Sequence, residues 1–95
     1  MKLLYCQECT DIVRLRVNQI RSCQCGKCSG EYVDKKLVRV SENAILIGFD
    51  NPSLKKALKH IPDDGQGEQF VAFIIPRKCD CVVIDPRLNN PEIKP

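Results

Sequence analysis

The chain has 95 residues and a mass of 10.8 kDa, the size of one small domain, and seven of its residues are cysteines. An odd cysteine count, no recognisable secretory leader and no long apolar segment argue against a disulfide-rich secreted protein and against a membrane protein. The formal net charge of +3 would fall to about +1 with a zinc ion held by four thiolates, which is low for a non-specific DNA-binding protein. We therefore expect a cytoplasmic domain whose cysteines bind metal.

The first third of the chain predicts a β-hairpin that brings two groups of cysteines together. Residues 13–17 alternate between apolar and polar types, which places the three apolar side chains on one face and Arg14 and Arg16 on the other. Residues 18–19 suit the turn, after which the chain returns towards the second group of cysteines. The pattern predicts a zinc ribbon over residues 1–33.

The rest of the chain predicts one helix and several short strands. The helix is expected near residues 52–60, because Asn51 can cap it, Pro52 suits its first position and Pro62 ends it. Apolar runs rich in branched residues predict strands at residues 37–40, 44–49, 70–75 and 81–84.

Together these elements predict an α+β fold. It consists of an N-terminal zinc ribbon, a β-hairpin with a four-cysteine site, followed by a small antiparallel sheet with one helix. We expect a single domain over residues 1–85, with the sheet and helix in residues 36–85. Residues 86–95 contain three prolines and predict a flexible tail.

Five cysteines of the first third are the strongest functional signal. They form two groups: Cys6 and Cys9, then Cys23, Cys25 and Cys28. Two thiolates in one tight turn grip a tetrahedral zinc ion, and a second such turn across a hairpin completes its shell. Cys6 and Cys9 are the first two expected ligands, and Gly26 favours Cys25 as the third because glycine permits the turn. The residues themselves leave the fourth ligand open between Cys23 and Cys28.

The sequence resembles a group of small zinc-ribbon proteins from bacteria and phages. The likeness rests on MKLLYCQECTDIVRLRV, RSCQCGKCSGEYVD, AILIGFDNPSLKKAL and FVAFIIPRKC, and covers roughly residues 1–80. The group's pattern is Cys-x-x-Cys, then Cys-x-Cys-Gly, then Gly-x-Tyr-Val-Asp. The resemblance implies one structural zinc ion held by Cys6, Cys9, Cys23 and Cys25, with Cys28 as an extra cysteine.

The remaining chemistry-bearing residues do not predict an enzyme. Cys79 and Cys81 could join Cys28 and His60 in a second metal site, but the spacing does not match a known two-zinc pattern, and small core residues are the simpler interpretation. A zinc ion with four thiolates has no open position for water, and the sequence contains no nucleophile, phosphate-loop or zinc-hydrolase motif.

The sequence around the helix start predicts a site for a phosphate-bearing ligand. A helix start offers free N–H groups and a positive dipole end to an anion. The candidate residues are Asn51, Ser53, Lys55, Lys56, Arg77 and Lys78. The alternative is a simple helix cap with solvated lysines, and Asp50 competes for the same donors.

We therefore expect a non-catalytic zinc protein that binds a nucleotide-type anion. The resemblance to phage proteins suggests sequestration of a nucleotide signal of host defence, in the host cytoplasm. The alternatives are a zinc ribbon that binds DNA or RNA through Arg14, Arg16 and Arg21, or a module for protein–protein interaction. The apolar runs exceed what one helix and one ribbon can cover, which predicts a homodimer.

Overall fold

A computed structural model describes residues 2–89 and confirms the α+β fold class. Its eight strands form two four-stranded sheets, ordered β2-β1-β6-β7 and β3-β4-β5-β8. In chain order the elements are β1 (Lys2–Tyr5), β2 (Ile12–Arg14), β3 (Arg21–Ser22), β4 (Ser29–Tyr32), β5 (Val38–Val40), β6 (Ile45–Phe49), α1 (Asn51–Leu58), β7 (Ala72–Ile74), β8 (Val82–Ile84) and a 3-10 turn (Pro86–Asn89).

The first sheet is antiparallel throughout and is built around β1. Leu4 lies opposite Val13 of β2 and opposite Leu46 of β6. All three side chains are buried on one face, as the alternating patterns of β2 and β6 require. The strand at the far edge, β7, pairs with β6 and has only exposed residues.

The second sheet is mixed, and the prediction of an antiparallel sheet is wrong at one pair. β4 pairs antiparallel with β3 and β5, but β8 runs parallel to β5, with Val38 opposite Val82 and Val40 opposite Ile84. The reason is topological: the chain leaves β5, passes through β6, α1 and β7, and returns to the same end of the second sheet. Such a long crossover is what a parallel pair requires.

The core lies between the two sheets. Its buried members are Leu4, Cys6, Val13, Leu15, Cys23, Cys28, Val38, Val40, Ala44, Leu46 and Ile75. The sheets approach closely at Gly30, where an added Cβ would lie 2.8 Å from Val40 Cγ1 and 3.3 Å from Leu4 Cδ1 of the opposite sheet. The pairs β1–β6 and β4–β5 join the predicted ribbon to the rest of the chain.

The predicted hairpin is divided between the sheets. β2 pairs with β1 and β3 pairs with β4, and only an isolated bridge between Arg16 and Gln19 links the two arms. Asn18 turns the chain with a φ of 54°. The turn carries Val17 away from the core, so that it is 56% exposed and not buried as the alternation predicted.

The helix forms as predicted but with a different cap and little burial. Asp50 is the cap, since its Oδ2 accepts the N–H of Ser53 at 3.2 Å, and Asn51 is the first residue of α1. The helix ends at Leu58, two residues before the expected 60. Of its residues only Ala57 is buried.

The start of the predicted tail is part of the fold. Residues 86–89 form the 3-10 turn, Leu88 is buried, and its carbonyl accepts the hydroxyl of Ser29 at 2.7 Å. Residues 90–95 of the predicted tail lie outside the described residues. Within residues 2–89 no helix has the length and apolar character needed to cross a membrane.

Candidate functional site

Four cysteines converge at one end of the core. The sulfurs of Cys6, Cys9, Cys23 and Cys25 all lie within 4.8 Å of one another. Two of the separations are 3.7 Å, between Cys6 and Cys25, and 3.5 Å, between Cys23 and Cys25. Sulfurs bound tetrahedrally at about 2.3 Å from one ion are about 3.8 Å apart. The cluster could therefore hold a metal ion.

Two backbone turns position these thiols. In the first turn, the N–H of Thr10 donates to the carbonyl of Cys6 at 2.8 Å, and Thr10 has a φ of 59°. In the second, the N–H of Gly26 donates to the carbonyl of Cys23 at 3.0 Å, and Gly26 has a φ of 79°. Glycine adopts this left-handed conformation without a steric penalty, which explains why it follows the second turn.

The two turns are also linked to each other. The N–H of Gln24, in the second turn, donates to Oδ2 of Asp11 at 3.0 Å, and the carbonyl of Asp11 accepts the N–H of Cys6 at 3.0 Å. Asp11 thus connects both halves of the cluster through hydrogen bonds that do not involve the thiols.

Backbone N–H groups surround the sulfurs and favour their thiolate forms. The N–H of Cys25 is the main cause that lowers the pKa of Cys9. Burial alone would raise the pKa of Cys6, but hydrogen bonds from the N–H groups of Cys9 and Glu8 outweigh it, and its pKa falls. The pKa of Cys23 also falls, because the N–H of Cys28 and neighbouring thiols outweigh burial. Thiolates are the form that binds a metal ion.

The pKa of the fourth thiol, that of Cys25, shifts in the opposite direction. The N–H of Lys27 lowers the pKa of Cys25, but burial and three neighbouring cysteines outweigh it and raise the pKa to about 12. Four thiolates this close repel one another, and a divalent cation between them removes the repulsion. The site is therefore suited to a cation.

The residues left the fourth ligand open between Cys23 and Cys28, and the structure places Cys23, not Cys28, within 4.8 Å of the other three sulfurs. Cys28 is 1% exposed, and its own thiol lies 3.8 Å from the carbonyl of Asn43. Its backbone N–H donates to the sulfur of Cys23 at 3.4 Å. Cys28 therefore supports the cluster through its main chain at Cys23 and through its thiol, whose hydrogen bond helps to lower the pKa of Cys6.

The other expected metal-site candidates lie elsewhere. Cys79 and Cys81 are half-buried at the turn before β8, with their sulfurs 2.8 Å apart. His60 is exposed just after α1, and its backbone N–H donates to the carbonyl of Ala57 at 3.0 Å. Within residues 2–89 the only group of three or more metal-ligating side chains is the cluster of four cysteines described above.

The residues predicted around the helix start are held by the protein itself. The hydroxyl of Ser53 donates to the carbonyl of Asp50 at 3.1 Å and accepts the N–H of Val71 at 2.8 Å. Ser53 and Lys56 line one cavity together with Glu68. Arg77 lines a different cavity, and its guanidinium donates to the carbonyl of Glu42. The structure thus places Arg77 at a different cavity from Ser53 and Lys56.

A basic surface is formed where β1, the end of β2 and the β4–β5 connection meet. We call it the basic cavity; it has a volume of about 380 Å³ and is lined by Lys2, Arg14, Leu15, Arg16, Val17, Tyr32 and Lys35. Four of these residues are cationic and none is acidic. Within residues 2–89 none of the four side chains belongs to an ion pair.

The basic cavity is partly ordered by Tyr32. Its hydroxyl accepts the backbone N–H of Lys2 at 2.9 Å, and its ring lies 5.8 Å from the ammonium of Lys2. That ammonium also donates to the carbonyl of Lys36 at 3.0 Å. Arg14 and Arg16 were predicted as outward residues, but Lys2 and Lys35 come from distant parts of the chain. Only the pairing of β1 with β2 and the bridge from Val17 to Tyr32 bring them together.

Comparisons with protein-family models, with characterised proteins and with solved structures found no match. The function is therefore inferred from the geometry of the cysteine cluster and of the basic cavity.

Proposed function

We propose that this chain is a small non-catalytic zinc protein that binds a phosphate-bearing ligand in the basic cavity. Zinc is the proposed ion because it takes four thiolates tetrahedrally and stabilises small folds outright. The sulfur separations near 3.7 Å and the N–H groups directed at the thiols support this choice. A shell of four thiolates leaves no position for a water molecule, which supports a structural role for the metal and a function without catalysis.

Metal analysis tests the zinc assignment. The protein is purified from cells grown with both zinc and iron, and its metal content is measured by inductively coupled plasma mass spectrometry. We expect one zinc ion per chain. Iron with a charge-transfer band in the visible spectrum would contradict the assignment, because tetrahedral sulfur sites also suit iron.

The observation that carries the ligand proposal is the convergence of Lys2, Arg14, Arg16 and Lys35 on one cavity without a carboxylate. Side chains of like charge in one concavity raise the local concentration of anions. Arginine also binds phosphate oxygens in a bidentate manner. The cavity volume of about 380 Å³ falls in the range of small-ligand sites, which favours a nucleotide-sized ligand.

A matched pair of variants distinguishes the basic cavity from the helix start. Arg14→Gln/Arg16→Gln removes two cations from the cavity, and Lys55→Gln/Lys56→Gln removes two from α1. Binding of a fluorescent mononucleotide and of a fluorescent single-stranded oligonucleotide is followed by polarisation. We expect the arginine variant to weaken binding by about ten-fold or more, since each charge-assisted contact contributes about 1.5–3 kcal/mol. The lysine variant is expected to remain within about two-fold of the wild-type.

The mononucleotide and the oligonucleotide distinguish binding of a small molecule from binding of a nucleic acid. A mononucleotide in the cavity should bind with a stoichiometry of one and modest salt dependence. An oligonucleotide whose phosphates contact all four cations should lose affinity steeply as salt rises. The logarithm of its binding constant should fall with the logarithm of the salt concentration with a slope of about −0.7 per phosphate contacted. If neither ligand binds, or if only the lysine variant loses binding, the proposed site is wrong.

The biological setting follows from the same properties. Thiolate ligands require a reducing compartment such as the cytoplasm. The resemblance to small zinc ribbons of bacteria and phages supports sequestration of a nucleotide signal as the use of such a site. That role requires a mononucleotide-type ligand to be retained by the purified protein, and mass spectrometry of released small molecules measures this.

A further inference from the structure

Two cysteines that the zinc site does not use lie side by side. Cys79 and Cys81 belong to the turn that precedes β8, and their sulfurs are 2.8 Å apart. In the metal cluster the corresponding separations are 3.5 and 3.7 Å, which leave room for an ion. A disulfide bond is about 2.05 Å long, so the sulfurs of this second pair lie roughly midway between bonding distance and the separations seen in the cluster of four cysteines.

The backbone holds this pair in place. The N–H of Val82 donates to the carbonyl of Cys79 at 3.2 Å and closes the turn. The carbonyl of Cys81 accepts the N–H of Val38 at 3.0 Å, which ties the turn to β5. The two thiols are therefore already positioned next to each other, and bringing them together requires no rearrangement of the sheet.

The pair is also accessible. Both side chains are half-buried and line a cavity of about 360 Å³ whose apolar wall includes Phe49, Phe73 and Pro76. The ammonium-bearing Lys2 lies at the same cavity. Of the other five cysteines, four form the metal cluster and Cys28 is 1% exposed. Cys79 and Cys81 are thus the two cysteines that a small reagent can reach while the metal is bound.

We propose that Cys79 and Cys81 form a reversible dithiol–disulfide pair that exchanges with low-molecular-weight disulfides such as oxidised glutathione. The thiolate of Cys79 attacks one sulfur of the external disulfide and releases one thiolate. The thiol of Cys81 then gives its proton to solvent, attacks the Cys79 sulfur of the mixed disulfide and releases the second thiolate. Two protein thiols are oxidised to one disulfide, and one external disulfide is reduced to two thiols.

The order of attack follows from the hydrogen bond between the thiols. Hydrogen bonding to Cys79, with a smaller contribution from burial, raises the pKa of Cys81. A raised pKa leaves less thiolate at Cys81, so we assign the first attack to Cys79 and the resolving step to the adjacent Cys81. Because Cys81 is adjacent, the mixed disulfide is expected to be short-lived.

Peptide mapping tests this assignment in the zinc-loaded protein. After incubation with oxidised glutathione the sample is quenched with iodoacetamide and digested with trypsin. Cleavage after Lys78 and Arg87 gives a peptide of residues 79–87 in which Cys79 and Cys81 are the only cysteines. We expect this peptide to escape alkylation and lose about 2 Da, the mass of two hydrogens, and to regain both thiols with dithiothreitol. The zinc content should stay unchanged.

Serine variants separate the proposed roles. Cys81→Ser should accumulate one glutathionyl group on Cys79, while Cys79→Ser should react more slowly and also stop at one group. The wild-type should contain about ten-fold more internal disulfide than mixed disulfide, because the resolving thiol is already in contact. If a variant fails to hold zinc, the ratio of internal disulfide to mixed disulfide in the wild-type tests the proposal on its own. Full alkylation of both cysteines, a persistent mixed disulfide in the wild-type, or zinc loss before this pair oxidises would overturn the proposal.

Discussion

The two ends of this molecule are built on different principles. At the cysteine end the side chains of the core are at most a few per cent exposed, and two turns are linked through the carboxylate of Asp11. At the opposite end, α1, β7 and the residues next to them leave several large apolar side chains more than half exposed: Leu58, Ile61, Val71 and Ile74. The contrast teaches where the stability of this small domain is expected to arise: from the cysteine cluster with its proposed metal ion and from the packed sheets beside it. Perturbations of the cysteine end are therefore expected to be far larger.

Removal of the metal should have the largest effect. Cys6 is fully buried directly after β1, the strand that joins β2 to β6, so loss of the ion affects the whole first sheet. Zinc binding to four thiolates contributes about 10–16 kcal/mol in small domains, and a domain of this size has a total stability of about 5–15 kcal/mol. We expect chelation, or Cys6→Ser, to abolish the cooperative unfolding transition followed by circular dichroism.

Cys28→Ser is the matched control for that experiment. Cys28 is equally buried, and serine keeps both the backbone N–H that it donates to Cys23 and a side-chain hydrogen-bonding group beside Cys6. We expect one metal ion per chain and a loss of about 1 kcal/mol in the free energy of unfolding. A metal-free Cys28→Ser protein would show that Cys28 and not Cys23 completes the shell.

Truncation of leucines at the two ends should differ by several kcal/mol. Leu4 is fully buried between Val13 and Leu46, and Leu4→Ala leaves a cavity that destabilises by about 2–5 kcal/mol. Leu58 is 57% exposed at the end of α1, so Leu58→Ala should change stability by no more than about 0.5 kcal/mol. Urea denaturation of the zinc-loaded proteins measures both, and similar values would contradict the division into two ends.

Glycine-to-alanine substitutions extend the comparison to the backbone. At Gly30 an added Cβ would lie 2.9 Å from the carbonyl oxygen of Arg39 and 2.8 Å from Val40, and neither group can move without disturbing the pairing of β4 with β5. Gly30→Ala is therefore expected to destabilise by about 1–3 kcal/mol. At Gly67 nothing lies within 4 Å, and Gly67→Ala should be neutral or stabilise slightly by restricting the unfolded chain. Thermal unfolding of the pair measures the difference.

The residues alone predict three of the four clustered cysteines, Cys6, Cys9 and Cys25, because this information is local, whereas Cys23 was implied only by the resemblance. Two cysteines in one turn must lie close together, and Gly26 marks the second turn directly. The helix start was predicted to within one residue for the same reason, although Asp50 and not Asn51 provides the cap. An aspartate and an asparagine in succession are both good caps, and only the backbone conformation distinguishes them.

The long-range pairings could not be predicted in the same way. The apolar–polar alternation of a strand indicates which of its faces is buried, but it does not indicate which strand lies beside it. The split of the hairpin between two sheets, the parallel pairing of β5 with β8 and the burial of Leu88 all depend on partners far along the chain. The basic cavity was missed for this reason, since Lys2 and Lys35 have no local relation to Arg14. Clustering of basic residues in the first half of the chain was the one available signal.

The ion pairs of Asp85 and the exposed pair of Glu8 and Lys27 should differ in their contribution to stability. The carboxylate of Asp85 is buried and accepts from Arg39 at 3.1 Å and from Arg87 at 2.9 Å, whereas Glu8 and Lys27 form an exposed pair at 3.6 Å. We expect Asp85→Asn to be clearly destabilising, because it leaves the partly buried guanidinium of Arg39 with one fewer anion. Glu8→Gln should have almost no effect.

The pH dependence of the Asp85 effect has a definite sign. Hydrogen bonds from Arg87 lower the pKa of Asp85 to about 2, below the ordinary value of 3.8. A lowered pKa means that the carboxylate stabilises the folded state fully above about pH 4 and loses that contribution as the pH falls towards 2. The difference in stability between the wild-type and Asp85→Asn should therefore be constant between about pH 6 and 8. A difference that changes across this range would assign the effect to another group.

The exposed end gives the smallest effect on folding and the clearest effect on assembly. β7 is an edge strand, and Ile74 on it is 67% exposed, which is the kind of edge that a second copy of the chain can cover. Ile74→Lys should change the free energy of unfolding of the monomer by no more than about 0.5 kcal/mol, because it removes little buried surface. If the protein dimerises through this edge, as the excess of apolar runs predicts, the lysine should convert it to a monomer in light scattering at high concentration.

Val83→Lys is the matched control, since Val83 is 43% exposed on β8, the corresponding edge of the other sheet. A dimer broken by Val83→Lys alone would transfer the interface to the second sheet, and a wild-type monomer would show that the exposed end needs no second copy to cover it.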